Sequence, residues 1–154
     1  MSFSEEFAVL ILHGPNMNLV GHRSSEAFGT LTLDKIDRGL RRTARSLNTV
    51  LKIYQSNDEG PLVKWLQRQR NWADGILLNP TTLCFTSYTI LDTLQLIKLP
   101  AVEIHLTESI AGRSVDDSLL KPTCVDSVIG PPDKAYEKGL HLLVEFLKEE
   151  HRAR

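Results

Sequence analysis

Four short polar segments carry the side chains of this sequence that could do chemistry. They are HGPNMN from residue 13, QSNDEG from residue 55, NP from residue 79 and EIHLT from residue 103. Each follows or ends a run of apolar residues, where a buried strand would finish. Open parallel sheets bind ligands beyond the carboxyl ends of their strands, which is where these polar segments fall. We expect the four segments to meet in one crevice.

An alternation of apolar strands and amphipathic helices must position those segments. FAVLIL from Phe7 to Leu12 predicts a strand buried on both faces. Further strands are predicted at residues 50–56, 75–79, 101–106 and 125–129. Helical spacing marks residues 33–47, a segment opened by Pro61, residues 86–97 and residues 136–147, with Thr30 or Thr32 as the first N-cap. The alternation predicts a single α/β domain over residues 1–154 with a parallel sheet and right-handed crossovers.

Bulk composition excludes several classes of partner and location. The 154 residues suit one domain with one core. A formal net charge of -1 gives no electrostatic case for binding nucleic acid or an anionic membrane. No stretch approaches the roughly 20 apolar residues of a membrane span. Cys84 and Cys124 make no disulfide framework and the N-terminus has no signal-peptide pattern, so we expect a cytoplasmic protein.

Several reactive residue types have simple structural interpretations. His13 and His22 lack the spacing of metal ligands, so no metal site is expected. Cys84 could be a nucleophile, but a small buried packing residue is the simpler interpretation. Glu26 and Glu108 could act as bases in mobile loops, and solvated surface charge is the alternative. Residues 13–30 read as a long loop, of which residues 20–30 are expected to form a lid.

The polar segments and their flanks resemble the signature of type II 3-dehydroquinate dehydratases. The matching stretches are HGPNMNLVGHRSSEAFG, QSNDEG, LLNPTTLCFTS and PAVEIHLT. They lie in family order from about Val9 to about Gly139, with one length change near residues 108–117. The resemblance implies a flavodoxin-like three-layer sandwich with a five-stranded parallel sheet of order 2-1-3-4-5. It also implies a trimer-based homo-oligomer, a dodecamer of four trimers, and elimination of water through an enolate without metal or organic cofactor.

The resemblance also implies roles for individual residues. Asn16 would hold the water that stabilises the enolate, and Arg23, in the lid, would lower the pKa of the base. Asn79 and the backbone of Leu106 and Thr107 would hold the substrate carboxylate.

Three further residues have implied roles. Glu103 and His105 would order the pocket and bind substrate hydroxyls. Asp92 would reach the site from a neighbouring subunit.

The sequence departs from the family pattern at positions that matter for proton transfer. Phe28 stands where the family has a tyrosine base, and Phe85 stands where it has a histidine acid. Neither ring accepts or donates a proton, and both would make the substrate site more apolar. Arg113 is the only arginine of a distal loop that has two in the family, and His13 replaces an asparagine.

These departures lead to a functional prediction. We predict a divergent lyase- or isomerase-like enzyme with negligible 3-dehydroquinate dehydratase activity. It would act on another small carboxylate or carbonyl compound by elimination, isomerisation or cyclisation. The alternatives are a catalytically inactive metabolite-binding or scaffolding homologue and a weak 3-dehydroquinate dehydratase.

Overall fold

A parallel sheet of five strands forms the centre of the computed structural model, which describes residues 6–23 and 31–154. The strands in chain order are β1 Phe7–His13, β2 Thr49–Gln55, β3 Gly75–Asn79, β4 Ala101–His105, β5 Ser109–Ile110, β6 Arg113–Ser114 and β7 Asp126–Ile129. The sheet order is β2-β1-β3-β4-β7, while β5 and β6 form a separate antiparallel hairpin. The predicted order 2-1-3-4-5 is therefore confirmed, with β7 as the fifth strand.

Helices cover both faces of the sheet. In the described ranges the α-helices are α1 Leu33–Ser46, α2 Glu59–Gln69, α3 Tyr88–Ile97 and α4 Pro132–Arg152. Every residue of β1 is buried. Val9 and Ile11 pack in the layer of α1 and α4, whereas Leu10 and Leu12 pack in the layer of α2 and α3. Burying each such side chain contributes about 1.5–3 kcal/mol, which explains the continuous apolar run.

Local capping sets where two of the helices begin. The Thr32 side chain accepts a hydrogen bond from the Lys35 backbone N–H at 3.3 Å, so Thr32 is the N-cap of α1. The Ser87 side chain accepts from the Ile90 N–H at 3.0 Å. As a result α3 begins at Tyr88, two residues later than predicted, and residues 81–85 form a separate 3-10 turn.

Other predicted boundaries need small corrections. α2 begins at Glu59, so Pro61 lies inside its first turn, where a missing N–H costs nothing. The second and fourth strands end one residue earlier than predicted, and the fifth begins one residue later. The expected loop over residues 13–30 contains a 3-10 helix at Met17–His22. Residues 24–30 of the expected lid lie outside the described residues. None of the described helices has the length and apolar character needed to cross a bilayer.

Candidate active site

The carboxyl ends of β1, β3 and β4 bring the predicted polar segments together. His13 pairs with Asn79 in register, and the Gly14 N–H donates to the Asn79 carbonyl at 2.8 Å. A Cβ at Gly14 would lie 2.7 Å from the Pro80 carbonyl oxygen, so glycine permits this close approach. His105, the last residue of β4, stands at the same edge. Gln55 pairs with His13, and its Nε2 donates to the Gly14 carbonyl at 3.3 Å. The expectation that the four segments meet at one edge is therefore confirmed.

A small cavity opens at this edge, with a volume of about 20 Å³. That volume holds roughly one water molecule. Five of its lining residues were predicted to serve the site, namely Arg23, Asn79, His105, Leu106 and Thr107. Four were not, namely Met17, Thr81, Ile110 and Val115. A ring-shaped carboxylic acid is far larger than one water, so its binding requires these walls to move apart.

The Asn79 amide is held in one orientation by the protein. Its Nδ2 donates to the Tyr136 hydroxyl oxygen at 3.1 Å and to the Met17 sulfur at 3.3 Å. Its Oδ1 accepts from the Thr81 N–H at 3.2 Å. Both amide hydrogens therefore have partners inside the protein. Asn79 presents a fixed, already satisfied side chain to the cavity.

Behind Asn79 lies a chain of hydrogen-bonded polar side chains that was not predicted, and all of its members except Asp37 are buried. The His13 ring is fully buried, with Nδ1 2.9 Å from Tyr136 Oη and Nε2 2.8 Å from Asp37 Oδ1. Because Tyr136 Oη accepts from Asn79, its own proton is free to go to His13 Nδ1. His13 then carries its proton on Nε2 and donates it to Asp37. We name the set Asp37, His13, Tyr136 and Asn79 the relay.

The electrostatics of Tyr136 argue against its serving as a base. Burial raises the pKa of Tyr136 above its ordinary value, the hydrogen bond from Asn79 opposes that rise, and the charge of Asp37 adds to it. The phenol is therefore neutral near pH 7. It also does not line the small cavity. Tyr136 therefore positions Asn79 and is not placed to act as a base at the cavity.

A second buried group surrounds Glu103. Glu103 is fully buried, and its Oε2 accepts a 2.5 Å hydrogen bond from the Ser118 hydroxyl. Its Oε1 lies 3.2 Å from His105 Nε2, yet the two atoms are not aligned for a hydrogen bond and neither has another partner in the described chain. Burial first, and then the Glu103 charge, raises the pKa of Cys84 to about 11. A protonated, buried thiol fits the packing interpretation of Cys84 and not that of a nucleophile.

The Phe85 ring is stacked against a cationic side chain. The Arg113 guanidinium lies 4.6 Å from the centre of the Phe85 ring. Arg113 is carried there by the β5–β6 hairpin, whose turn has positive φ at Ala111 and Gly112. Arg113 thus stacks on Phe85 and is not among the residues that line the cavity.

Some predicted site residues lie elsewhere in the described chain. Asn16 is exposed and does not line the cavity, and its N–H donates to Asn57 Oδ1 at 2.9 Å. Asp92 is exposed on α3 and does not line the cavity. Glu108 is exposed, in keeping with a solvated charge. Phe28 and Glu26 lie outside the described residues, so the structure gives no placement for either.

Comparison with known proteins identifies the family. Residues 7–144 match the sequence profile of Dehydroquinase class II. The chain belongs to that family. It is 36% identical over 142 residues to a 3-dehydroquinate dehydratase of Acaryochloris marina, covering 92% of this chain and 95% of that protein. It is 36% identical over 143 residues to one from Geotalea daltonii, covering 92% and 99%. A type II dehydroquinase from Butyrivibrio crossotus has a TM-score of 0.82 and 26% identity, covering 90% of this chain and 97% of that one.

These findings confirm the predicted family and its lyase-type chemistry, and they correct the predicted substrate. Relatives at this identity and coverage are named 3-dehydroquinate dehydratases. The prediction of a substrate other than 3-dehydroquinate is therefore wrong. It gave two phenylalanines, Phe28 and Phe85, more weight than the remaining sequence. Acid and base side chains govern rate, and they do not by themselves decide which ring is bound. Of the alternatives, a weak 3-dehydroquinate dehydratase is the one with which the relatives are partly consistent.

Proposed function

We propose that this chain binds 3-dehydroquinate at the carboxyl edge of the sheet and eliminates water from it slowly. The observation that carries the proposal is that Arg23, Asn79 and His105 line one cavity at the carboxyl edge of the sheet. The two relatives described above are named 3-dehydroquinate dehydratases. Arg23 supplies positive charge for the substrate carboxylate, and the backbone N–H groups of Leu106 and Thr107 donate hydrogen bonds to it.

Substrate entry requires movement of a wall, and Arg23 lies on the side best able to move. It follows the 3-10 helix Met17–His22, is exposed, and has its N–H bonded to the Val20 carbonyl at 3.3 Å. The opposite walls, Asn79 and His105, are fixed at the ends of sheet strands. We propose that the segment carrying Arg23 swings outward to admit the ring and then closes over it. The prediction of a lid over residues 20–30 enters the proposal in this form.

Proton transfer is the slow step in this proposal. Removing a proton beside a carbonyl requires a basic atom, and the leaving hydroxyl requires a proton. Phe85 offers neither, and the Arg113 guanidinium stacked on its ring contributes positive charge. Each positioned acid or base is worth about 10²–10⁴ in rate. We therefore expect the turnover rate to be far below that of a family member with both proton carriers, down to a negligible rate.

The proposal includes self-association. Asp92 lies on α3 with Tyr88 and Leu96 four residues to either side, which places the three on one helix face. Tyr88 is 68% exposed and Leu96 is 71% exposed, an unusual exposure for two large apolar side chains on one face. This face supports the trimer-based homo-oligomer, extending to a dodecamer, in which Asp92 reaches a neighbouring site. A stable monomer at micromolar concentration in light scattering would overturn it.

The cellular location is also part of the proposal. Cys84 and Cys124 are free thiols. Free thiols suit the reducing cytosol, and we propose that the enzyme works there.

The test restores the two proton carriers. Wild-type protein, Phe28→Tyr, Phe85→His and the double variant are incubated with 3-dehydroquinate, and the conjugated enone product is followed by ultraviolet absorbance. We expect slow turnover by wild type and a rise of at least about 10²-fold in the double variant. Phe146→His, at an exposed phenylalanine of α4, is the matched control and should change nothing. No binding of 3-dehydroquinate by wild type in calorimetry, together with no turnover by the double variant, would refute the proposal.

A further inference from the structure

Thr81 has a backbone conformation that its side chain disfavours. Among the non-glycine residues of the described ranges, positive φ occurs at Asn16, Asn48, Thr81, Lys98 and Ala111. Thr81, with φ of 51°, is the β-branched residue of that set. A branched Cβ crowds the backbone in the left-handed region, which glycine adopts without a steric clash because it has no Cβ. Folding stability alone would favour glycine at this position.

The surrounding chain holds Thr81 in place. Its N–H donates to Asn79 Oδ1 at 3.2 Å, and the Leu83 N–H donates to the Pro80 carbonyl at 3.2 Å. The turn that follows β3 therefore fixes the conformation through residues on both sides of Thr81. The hydrogen bonds of the turn impose the positive φ, and the threonine side chain does not favour it.

The Thr81 hydroxyl carries a second unfavourable feature. The residue is 4% exposed, and Oγ1 has no hydrogen-bond partner in the part of the chain that the structure describes. A buried hydroxyl without a partner is unfavourable relative to one in water. Strain and an unused hydroxyl thus coincide at one residue that lines the cavity. Such coincidences mark positions kept for a ligand rather than for the fold.

His105 is a second polar side chain without a hydrogen bond on the same cavity. It is 3% exposed and lines the cavity with Thr81. Its Nε2 lies 3.2 Å from Glu103 Oε1 but makes no hydrogen bond in the described chain. A ring hydroxyl is both a donor and an acceptor, and a threonine hydroxyl can serve it in either sense. We propose that Thr81 is a substrate-binding residue whose hydroxyl, together with His105, binds a ring hydroxyl of the substrate. This rests on the proposed function, because 3-dehydroquinate is the hydroxylated ring acid in question.

The proposal makes Thr81 a determinant of specificity. A site that hydrogen-bonds a substrate hydroxyl rejects the analogue that lacks it, because its own polar groups are then left unpaired. Thr81→Val keeps the branched shape and the strained backbone and removes only the hydroxyl. This variant should therefore bind 3-dehydroquinate more weakly and discriminate less against a ring acid lacking one hydroxyl.

The experiment measures affinity and stability on the same proteins. Calorimetry with 3-dehydroquinate gives Kd for wild type, Thr81→Val, Thr81→Ser and Thr81→Gly, and thermal unfolding gives the midpoint of each. We expect Thr81→Val to raise Kd by about 5–10-fold and Thr81→Ser to stay within about 2-fold of wild type. Thr81→Gly should raise the unfolding midpoint by about 2–4 °C while also weakening binding.

Lys98→Gly is the matched control, since Lys98 has φ of 56° at the end of α3 and does not line the cavity. It should raise the midpoint and leave Kd unchanged. If wild type binds 3-dehydroquinate and Thr81→Val binds it equally well, the role of Thr81 is refuted while the proposed function stands. If wild type does not bind 3-dehydroquinate, both are refuted.

Discussion

Replacing Tyr136 with phenylalanine removes one oxygen atom, and with it one hydrogen-bond partner from each of two buried side chains. Tyr136 Oη lies 2.9 Å from His13 Nδ1 and 3.1 Å from Asn79 Nδ2. His13 is fully buried and Asn79 is 2% exposed, so water cannot replace the lost hydrogen bonds without opening the core. Each unsatisfied buried group costs about 1–3 kcal/mol. The gain from no longer burying the phenol hydroxyl offsets part of that cost.

The expected loss in unfolding free energy is therefore about 3 kcal/mol. In a protein of this length, such a loss lowers the thermal midpoint by roughly 6–12 °C. Urea denaturation followed by fluorescence of Trp65 and Trp72 measures the free energy directly. Tyr54→Phe is the matched control, because the ring keeps its stacking on Trp65 and the hydroxyl has no hydrogen bond in the described chain. This change should cost less than about 0.5 kcal/mol.

The same variant should also affect the site. Without Tyr136 Oη, only the hydrogen bonds to Met17 and Thr81 orient the Asn79 amide. Two bonds hold the amide plane less firmly than three, so its orientation becomes less fixed. We expect Tyr136→Phe to raise KM for 3-dehydroquinate more than it lowers kcat. A Tyr136→Phe protein within about 0.5 kcal/mol of wild type would show that the relay is not formed and would refute this reasoning.

Three further predictions test other contacts. Asp37→Asn keeps an oxygen that accepts from His13 Nε2 and should lower the free energy of unfolding by under about 1 kcal/mol, whereas Asp37→Leu should lower it by about 1–3 kcal/mol. Nitrogen-15 NMR should find the His13 proton on Nε2. A proton on Nδ1 would contradict the relay. The raised pKa of Cys84, about 11, means that its stabilising contribution is complete below pH 9 and is lost as pH rises toward 11. Relative to Cys84→Ala, wild type should lose about 1 kcal/mol per pH unit there, and equal slopes would contradict it. A double-mutant cycle of Arg113→Gln and Phe85→Leu should give a coupling of about 0.5–1 kcal/mol, and no coupling would show that their stacking carries no energy.

Local pattern was sufficient for the sheet and for the strand ends. The continuous apolar run of β1 predicts burial on both faces, and alternation with helices limits the strand order to few solutions. His13, Asn79 and His105 could be predicted at one edge because parallel strands end on the same side. These inferences need only periodicity and chain direction, which short windows of sequence contain.

The relay could not be predicted in that way. His13 and Tyr136 are 123 residues apart in sequence, and His13 and Asp37 are 24 apart. On the apolar side of α4, Tyr136 has the spacing of a packing residue, and nothing local marks its hydroxyl as bonded. A fully buried histidine at the end of a strand was the available signal, because a buried imidazole requires a partner for each nitrogen. The partner positions depend on how α1 and α4 cross the sheet.

The strain at Thr81 and the stacking of Arg113 were also beyond local pattern. The strands of the β5–β6 hairpin have two residues each, too short for any periodicity to show. Its turn residues Ala111 and Gly112 were the one local sign, since glycine favours positive φ. At Thr81 the sequence points the wrong way, because threonine ordinarily avoids the conformation that the turn requires.

The proposed function assigns substrate recognition and proton transfer to different parts of this fold. Asn79 and His105 are terminal residues of sheet strands, and Asn79 is fixed further by the relay. Phe85 ends a short 3-10 turn, and Phe28 lies outside the described residues. A substitution in a turn can remove a proton carrier without shifting the strand ends. We therefore expect the two phenylalanines to lower kcat by orders of magnitude while Kd for 3-dehydroquinate changes little. Restoring both proton carriers should then raise kcat at nearly constant Kd, and a large change in Kd would show that the two functions are not separate.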